Sequence, residues 1–500
     1  MGIVIRQSIK SAVVTYAGVL IGTLNVLWLS PKFLSKEEIG LAQFVVDISL
    51  LYAAFAQLGV SQTALRFFPY FQEDSRLYPR FLGVLTVLPL AGLAVFSLAY
   101  FLLEPVFTRV YRQESPLLLP YYYYLLPLTF FFVYIQLLES FARINLRIAV
   151  PALIRELFLK LFNACLIVLY GLGWISLDQF ILMLVASYGL AVVFLLLYNR
   201  QLGKLSVVFD FSFFKLPVFR EMVSYGLFVF MGGLGTLLIY KIDALMLSAS
   251  AGGVGTYGIY TIAFKIAIVI EIPRRAIAQI TLPLITTAWR NNDVAHIGDL
   301  YRKSALNQLI VGVFLFLGIW CNIDAIFNLI PNGEVYQAGK SVVLLIALSR
   351  LADMATGPNS EIIFGSKYYR YDLVGLVVMV LVKVVANRIF IPVLGSTGAA
   401  FADLLVVVLY NGAKLLFIWR KFGLQPFTYH NAVALLVGGL VYAATTFIPP
   451  AAGTVADTLF NIVLRSGLIT GLYVGLIYLF RVSADANALA AALFRKVRGT

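Results

Sequence analysis

Eight ionisable residues stand in stretches that are otherwise almost wholly apolar: Asp47, Lys241, Asp243, Lys265, Arg350, Asp353, Lys383 and Asp403. A charge inside an apolar helix is costly, and it marks a transport site, a relay or a paired structural contact. Fixed cations in a low-dielectric wall attract phosphate more strongly than they do in water. Carboxylates beside them tune that attraction or take up a cation. Spacing sorts the set. Lys241 and Asp243 are two apart, point to different sides of a helix and cannot simply pair. Arg350 and Asp353 are three apart and mutually reachable. Lys383 and Asp403 lie at similar depth on segments joined by a short loop, and they read as a structural ion pair. Asp47 shares one helical face with Gln43, Gln57 and Ser61. A hydrogen-bonded helix seam and a water-filled cavity both fit that face. Pro358, after Gly357, breaks its segment between Asp353 and Glu361. A broken helix at membrane depth must line protein or water, so a transport site and a plain kink both remain open. Of the remaining intramembrane cations, Lys160 and Lys414 lie close enough to the inner face to snorkel. Arg465 does not, and its role is not legible.

These residues are positioned by fourteen apolar segments, at 8–34, 39–65, 81–103, 119–142, 156–173, 177–198, 221–248, 254–280, 304–323, 341–365, 371–391, 397–419, 428–448 and 457–480. Most reach the ~20 residues that a helix needs to cross ~30 Å of hydrocarbon. The chain is 61% hydrophobic and 12% charged, with a mean hydropathy of +0.91. A soluble protein of this size could not hide that much apolar surface, and continuous Leu, Val, Ile, Phe and Ala runs favour helices over a β-barrel. The expected class is an all-α polytopic membrane protein. Counted at ~1.5 Å per residue, Asp47, Lys265, Arg350 and Asp353 all fall roughly 12–16 Å from the outer surface, and that common depth suggests one cavity.

The net charge of +14 follows topology rather than nucleic acid. Of 38 Lys and Arg, only Lys32, Lys36, Arg109, Arg112, Lys340 and Arg388 fall in one set of alternate gaps. Seven lie inside segments: Lys160, Lys241, Lys265, Arg350, Lys383, Lys414 and Arg465. The other 25 are counted with the opposite gaps, including Lys10, Arg274 and Arg275 near the cytoplasmic ends of segments 8–34 and 254–280. The positive-inside rule then places both termini in the cytoplasm. Weak likenesses, Glu37 to Ala42 against Gly252 to Tyr257 and Leu172-Gly173 against Leu394-Gly395, suggest a parallel repeat of six helices. The expected organisation is an N-terminal lobe at 1–200, a C-terminal lobe at 201–422, two extra helices at 423–482 and a basic amphipathic cytoplasmic tail at 483–500.

Cys165 and Cys321 are far apart and read as small core residues. No zinc spacing, P-loop, nucleophile elbow or dinucleotide fingerprint is found. The sequence therefore predicts no catalytic residue, no metal and no cofactor. The protein is not expected to be an enzyme. A glycan polymerase or ligase, the enzyme alternative, typically needs a large outer loop, and the outward gaps are short.

Segments 10–12 carry a resemblance. The run Ala355-Thr356-Gly357-Pro358-Asn359-Ser360-Glu361, then Ser366-Lys367-Tyr368-Tyr369, then Ile391-Pro392-Val393-Leu394-Gly395-Ser396-Thr397-Gly398-Ala399-Ala400 resembles the Wzx-type exporters of the multidrug/oligosaccharidyl-lipid/polysaccharide (MOP) superfamily. Lys241-Ile242-Asp243 resembles that family's basic-x-acidic pattern. The resemblance implies two six-helix lobes plus two helices in the bacterial inner membrane. It implies flipping of an undecaprenyl-diphosphate-linked oligosaccharide from the cytoplasmic to the periplasmic leaflet by alternating access, in surface polysaccharide biosynthesis. Lys241, Lys265 and Arg350 would then contact diphosphate or glycan, and Asp47, Asp243 and Asp353 would tune them or couple to H+ or Na+. A lipid II flippase usually shows several Arg in its first helices, and a cation-coupled multidrug antiporter often carries an acidic residue in the first. Segment 1 has neither.

Overall fold

The computed structural model describes residues 2–74, 76–202, 208–448, 454–485 and 487–488. Among them every regular element is a helix and no strand occurs. The basic tail residues Arg495, Lys496 and Arg498, and the apolar Leu489, Leu493 and Phe494, lie outside the described residues.

Eleven helices among the described residues are long and apolar enough to cross a membrane. The other three apolar segments form shorter helices. Segment 5 is divided by a π-turn at Ile154–Phe158 that leaves Leu159–Gly171. Segment 10 ends its first helix, Lys340–Thr356, at Gly357 and resumes at Asn359–Gly365. Segment 13 is the 17-residue helix Tyr429–Thr445. Segment 2 also breaks, between Lys36–Gln57 and Val60–Phe71, where Leu58 and Gly59 both take left-handed backbone. Elsewhere helices overrun the apolar stretches. Leu77–Tyr111 has 35 residues and Pro217–Ser248 has 32. Gly253–Arg290 is one 38-residue run with a 3-10 turn at Ile268–Glu271. At ~1.5 Å per residue that run is about 57 Å long, more than a bilayer's thickness. The expected cytoplasmic gap 281–303 is accordingly mostly helix, interrupted only between Arg290 and Val294. Hydropathy falls there, but the polar residues are compatible with continued helix. Arg274 and Arg275, expected at the cytoplasmic end of segment 8, therefore lie within the long helical run and not at its end.

The chain forms two compact units, Met1–Gly258 and Ile259–Thr500. The sequence-based boundary at 200/201 assigns Pro217–Ser248 to the second lobe, whereas this helix packs on Lys36–Gln57 and Val60–Phe71 within the first unit. The core of the first unit is aromatic. Phe71 stacks on Phe81 at 4.6 Å and meets Phe213 at 5.4 Å. The Pro-rich entry to segment 4 is a 3-10 stretch at Pro116–Tyr124. Tyr100 and Tyr122 pin it by stacking at 4.1 Å, while each hydroxyl donates to the other's carbonyl. In the second unit, Tyr429–Thr445 and Val455–Leu479 pack against Val294–Trp320, and Tyr473 donates to the Ile310 carbonyl at 3.1 Å.

Glycines set a tight crossing. A Cβ at Gly40 would lie 1.9 Å from the Val254 carbonyl oxygen, and one at Gly258 2.0 Å from that of Lys36. The contact is reciprocal, and each residue of the one pair lies 218 positions from its counterpart in the other. The stretches paired as repeat equivalents in the sequence thus lean on each other, backbone to backbone.

Candidate functional site

In the first unit, the helix Lys36–Gln57 begins at a capping box, with Ser35 accepting from the Glu38 amide and Glu38 accepting from the Ser35 amide. Three turns on, it presents Asp47 to Pro217–Ser248. Lys241 Nζ donates to Asp47 Oδ1 at 2.6 Å, and the Tyr257 hydroxyl donates to Oδ2 at 2.5 Å. Both carboxylate oxygens are satisfied, and the Asp47 side chain is only 8% exposed. Lys241 is 23% exposed, so the pair is buried on the acid's side and reachable on the lysine's. Asp243, two residues on, is buried. Gln57 bonds Ser61 on the same face of segment 2, across the Leu58-Gly59 break. That break is closed against Pro217–Ser248, since a Cβ at Gly59 would come 2.3 Å from the Gly226 carbonyl oxygen.

In the second unit five charges, Lys383, Asp403, Arg350, Glu271 and Arg275, form one connected network, and Asp353 with Arg274 belongs to another. Lys383 Nζ lies 2.9 Å from Asp403 Oδ1. Asp403 Oδ2 accepts from the Ser349 hydroxyl at 2.8 Å and from the Arg350 guanidinium. Arg350 also faces Glu271 at 3.5 Å, and Glu271 accepts from Arg275 at 2.9 Å. The Arg350, Lys383 and Asp403 side chains are 3%, 0% and 2% exposed. Arg350 and Asp353, mutually reachable by spacing, do not pair. Asp353 turns to Arg274 at 2.5 Å and accepts from Asn411 at 3.0 Å. Asn411 accepts from Asn359, which in turn accepts from the Tyr301 hydroxyl at 2.5 Å. Asn359 opens the helix after the Gly357-Pro358 break, so the break delivers an amide into this network. A Cβ on Gly357, whose φ is +66°, would lie 2.7 Å from that of Ala305.

Two snorkelling assignments give way to internal partners. Lys160 pairs with Glu156 at 2.8 Å and donates to the Gly18 carbonyl at 3.1 Å. Lys414 is buried, donates to Ser360 at 2.7 Å and lies 3.4 Å above the Tyr410 ring. Arg465 now has a position. It donates to the carbonyls of Cys321 and Ile448, each at 2.8 Å. Lys265 is exposed, on Gly253–Ala267.

The structure therefore gathers Asp47 with Lys241, and Arg350 with Lys383 and Asp403. It separates Asp353 from Arg350. Arg350 leaves the set of accessible cations, because its guanidinium is enclosed by acids. Sequence reasoning missed Tyr257, since a phenol leaves little trace in a hydropathy profile. The Glu271/Arg275 spacing of four marked a helical pair in the sequence, but not the reach of Glu271 to Arg350 on another helix. Among the described residues no group of three or more His, Cys, Asp or Glu could hold a metal.

A family model described as polysaccharide biosynthesis protein matches residues 4–289. The chain belongs to the polysaccharide biosynthesis protein family. No curated protein matches it in a sequence comparison. Among solved structures, it is similar to a lipid II flippase, MurJ, in an inward closed conformation. The TM-score is 0.72 at 13% identity, over 95% of this chain and 100% of that one. It is also similar to a multidrug resistance MATE family transporter of the MOP superfamily, with a TM-score of 0.60 at 16% identity over 86% and 96%. A MOP superfamily transporter from Pyrococcus furiosus matches at 0.53 and 17%, over 84% and 95%. At such identities the likeness is one of fold. This member of the polysaccharide biosynthesis family is thus a multi-pass membrane protein with a MOP transporter fold.

Proposed function

We propose that the protein is a flippase that moves an undecaprenyl-diphosphate-linked oligosaccharide from the cytoplasmic to the periplasmic leaflet, for surface polysaccharide assembly, and that it is not an enzyme. The supporting observation is the Lys241–Asp47–Tyr257 cluster: a cation held by a buried acid yet open on its own side, in a polysaccharide biosynthesis family member. Breaking a buried ion pair by removing one partner costs about 3–5 kcal/mol. Exchanging one anion for another avoids that cost. A diphosphate oxygen displaces Asp47 from Lys241, and Tyr257 keeps its hydrogen bond to the freed carboxylate. The freed Asp47 is then the group on which H+ or Na+ uptake would act. Lys265, exposed, supplies a second cation. Alternating access completes the transfer in the inner membrane, with both termini in the cytoplasm.

The test is export. Lys241→Ala and Lys265→Ala variants present in the membrane at normal amounts should lose surface polysaccharide, and wild-type polysaccharide in both would refute the assignment. The second reading, a lipid II flippase, is favoured by the TM-score of 0.72. Rescue of a strain depleted of its own lipid II flippase would support it over glycan export.

A further inference from the structure

Arg465 leads to a site that the ion-pair clusters do not use. In the second unit the ends of four helices and the short helix Ile323–Leu329 surround a recess of about 340 Å³. That volume is at the small end of ligand pockets. Its wall includes Trp320, Asp324, Asn328, Lys340, Asn461 and Arg465. Arg465 ties two of those helix ends together through the Cys321 and Ile448 carbonyls, which employs both terminal nitrogens. Its Nε is buried without a hydrogen-bond partner. Lys340 pairs with Asp324 at 2.6 Å and sits 5.8 Å from the Trp320 ring.

We infer that this recess binds a sugar ring. The chemistry argues against phosphate. The lysine is already paired with Asp324, and the arginine is held in place by two backbone carbonyls, one N–H of each terminal nitrogen being committed to them, so neither stands free to grip a phosphate. What remains is a mixture suited to hydroxyl groups. Asp324 accepts, Lys340 donates, and Asn328 and Asn461 each do both. Trp320 adds an apolar face of the kind on which a ring's C–H surface packs. Asp324 and Lys340 are well exposed, so the recess opens towards solvent. By the charge rule this is the periplasmic side, where a translocated glycan emerges. The inference rests on the proposed function only for the source of that sugar.

The test is saturation-transfer NMR on the full-length protein in nanodiscs, with glucose, galactose and N-acetylglucosamine as probes. Inorganic phosphate is followed in parallel by its phosphorus linewidth. At least one sugar should receive saturation above that seen with empty nanodiscs, while phosphate stays unbroadened. Asp324→Asn, at an exposed position, and Trp320→Ala should each weaken the sugar signal about two- to tenfold, the range of one lost contact. No sugar signal on the wild type, an equal signal in both variants, or broadening of phosphate alone would overturn the inference. Loss of export in Lys241 variants is measured separately, so this site can fail while the transport reading stands. Polysaccharide fragments added in place of simple sugars distinguish a released chain from the lipid-linked substrate as the source. Displacement of the probe sugar by the soluble fragment supports the recess as a glycan site, and failure of every fragment to compete contradicts it.

Discussion

A lysine within a membrane protein is tolerable when an anion meets it, and Lys241 meets Asp47 at 2.6 Å. The asymmetry of that pair matters more than its existence. Asp47 is enclosed and doubly bonded, while Lys241 keeps a reachable side. The second unit's charges behave differently. Lys383, Arg350 and Asp403 are enclosed together, so they serve the packing of their helices. Lys383→Met should lower stability by about 3–5 kcal/mol by unbalancing a buried acid, seen as a lower melting temperature in detergent. An unchanged melt would show that Asp403 does not depend on it. Tyr257→Phe should weaken the protein by about 1 kcal/mol, one net hydrogen bond, and should lower export at least as much as stability. Normal export in that variant would remove Tyr257 from the exchange. Much of this was legible from residue types. Six of the eight apolar-embedded charges, Asp47, Lys241, Arg350, Asp353, Lys383 and Asp403, take part in the ion pairs, which also draw in Glu271, Arg274 and Arg275. What spacing along one helix could not give is the partner on another helix: Arg350 reaches Asp403, 53 positions away, rather than Asp353.

At the scale of elements, breaks and crossings position the charges. The Leu58-Gly59 break lies past Asp47 and is sealed by Gly226, and the Gly357-Pro358 break feeds Asn359 into the second network. The Gly40/Val254 and Gly258/Lys36 approach fixes how the helix bearing Asp47 meets the one bearing Tyr257. Gly40→Val puts new atoms against a backbone carbonyl that cannot rotate away. Such overpacking typically costs about 1–3 kcal/mol, so the variant should melt earlier and export less. An unaltered melting temperature would contradict the crossing. The Gly357-Pro358 break was readable, because proline after glycine stops a helix. The overruns were not. Hydropathy ends a segment where polar residues begin, but hydrogen bonding carries the helix Ile272–Arg290 well beyond that point.

The whole molecule is legible as a class. Apolar content and segment length imply a polytopic helical protein, and the fold comparisons agree. That Pro217–Ser248 packs on Lys36–Gln57 and Val60–Phe71 was not legible, because hydropathy along one helix does not name the helix it meets. Orientation gives a test at this scale. In a background lacking Cys165 and Cys321, a cysteine at Asp324 should react with an impermeant maleimide on intact spheroplasts. One at Lys303 should react only after permeabilisation. The reverse pattern would invert the topology and place the recess in the cytoplasm. The central claim is that Lys241 meets the substrate and does not merely hold a helix. It is tested most directly by the paired variant Asp47→Leu with Lys241→Met. Replacing a buried ion pair by apolar residues of similar volume is often neutral or stabilising, so this protein should reach the membrane in wild-type amount and melt no earlier than wild type. Surface polysaccharide should nevertheless be absent. Normal polysaccharide from this stable, neutral variant would show that the ion pair is structural and contradict the account.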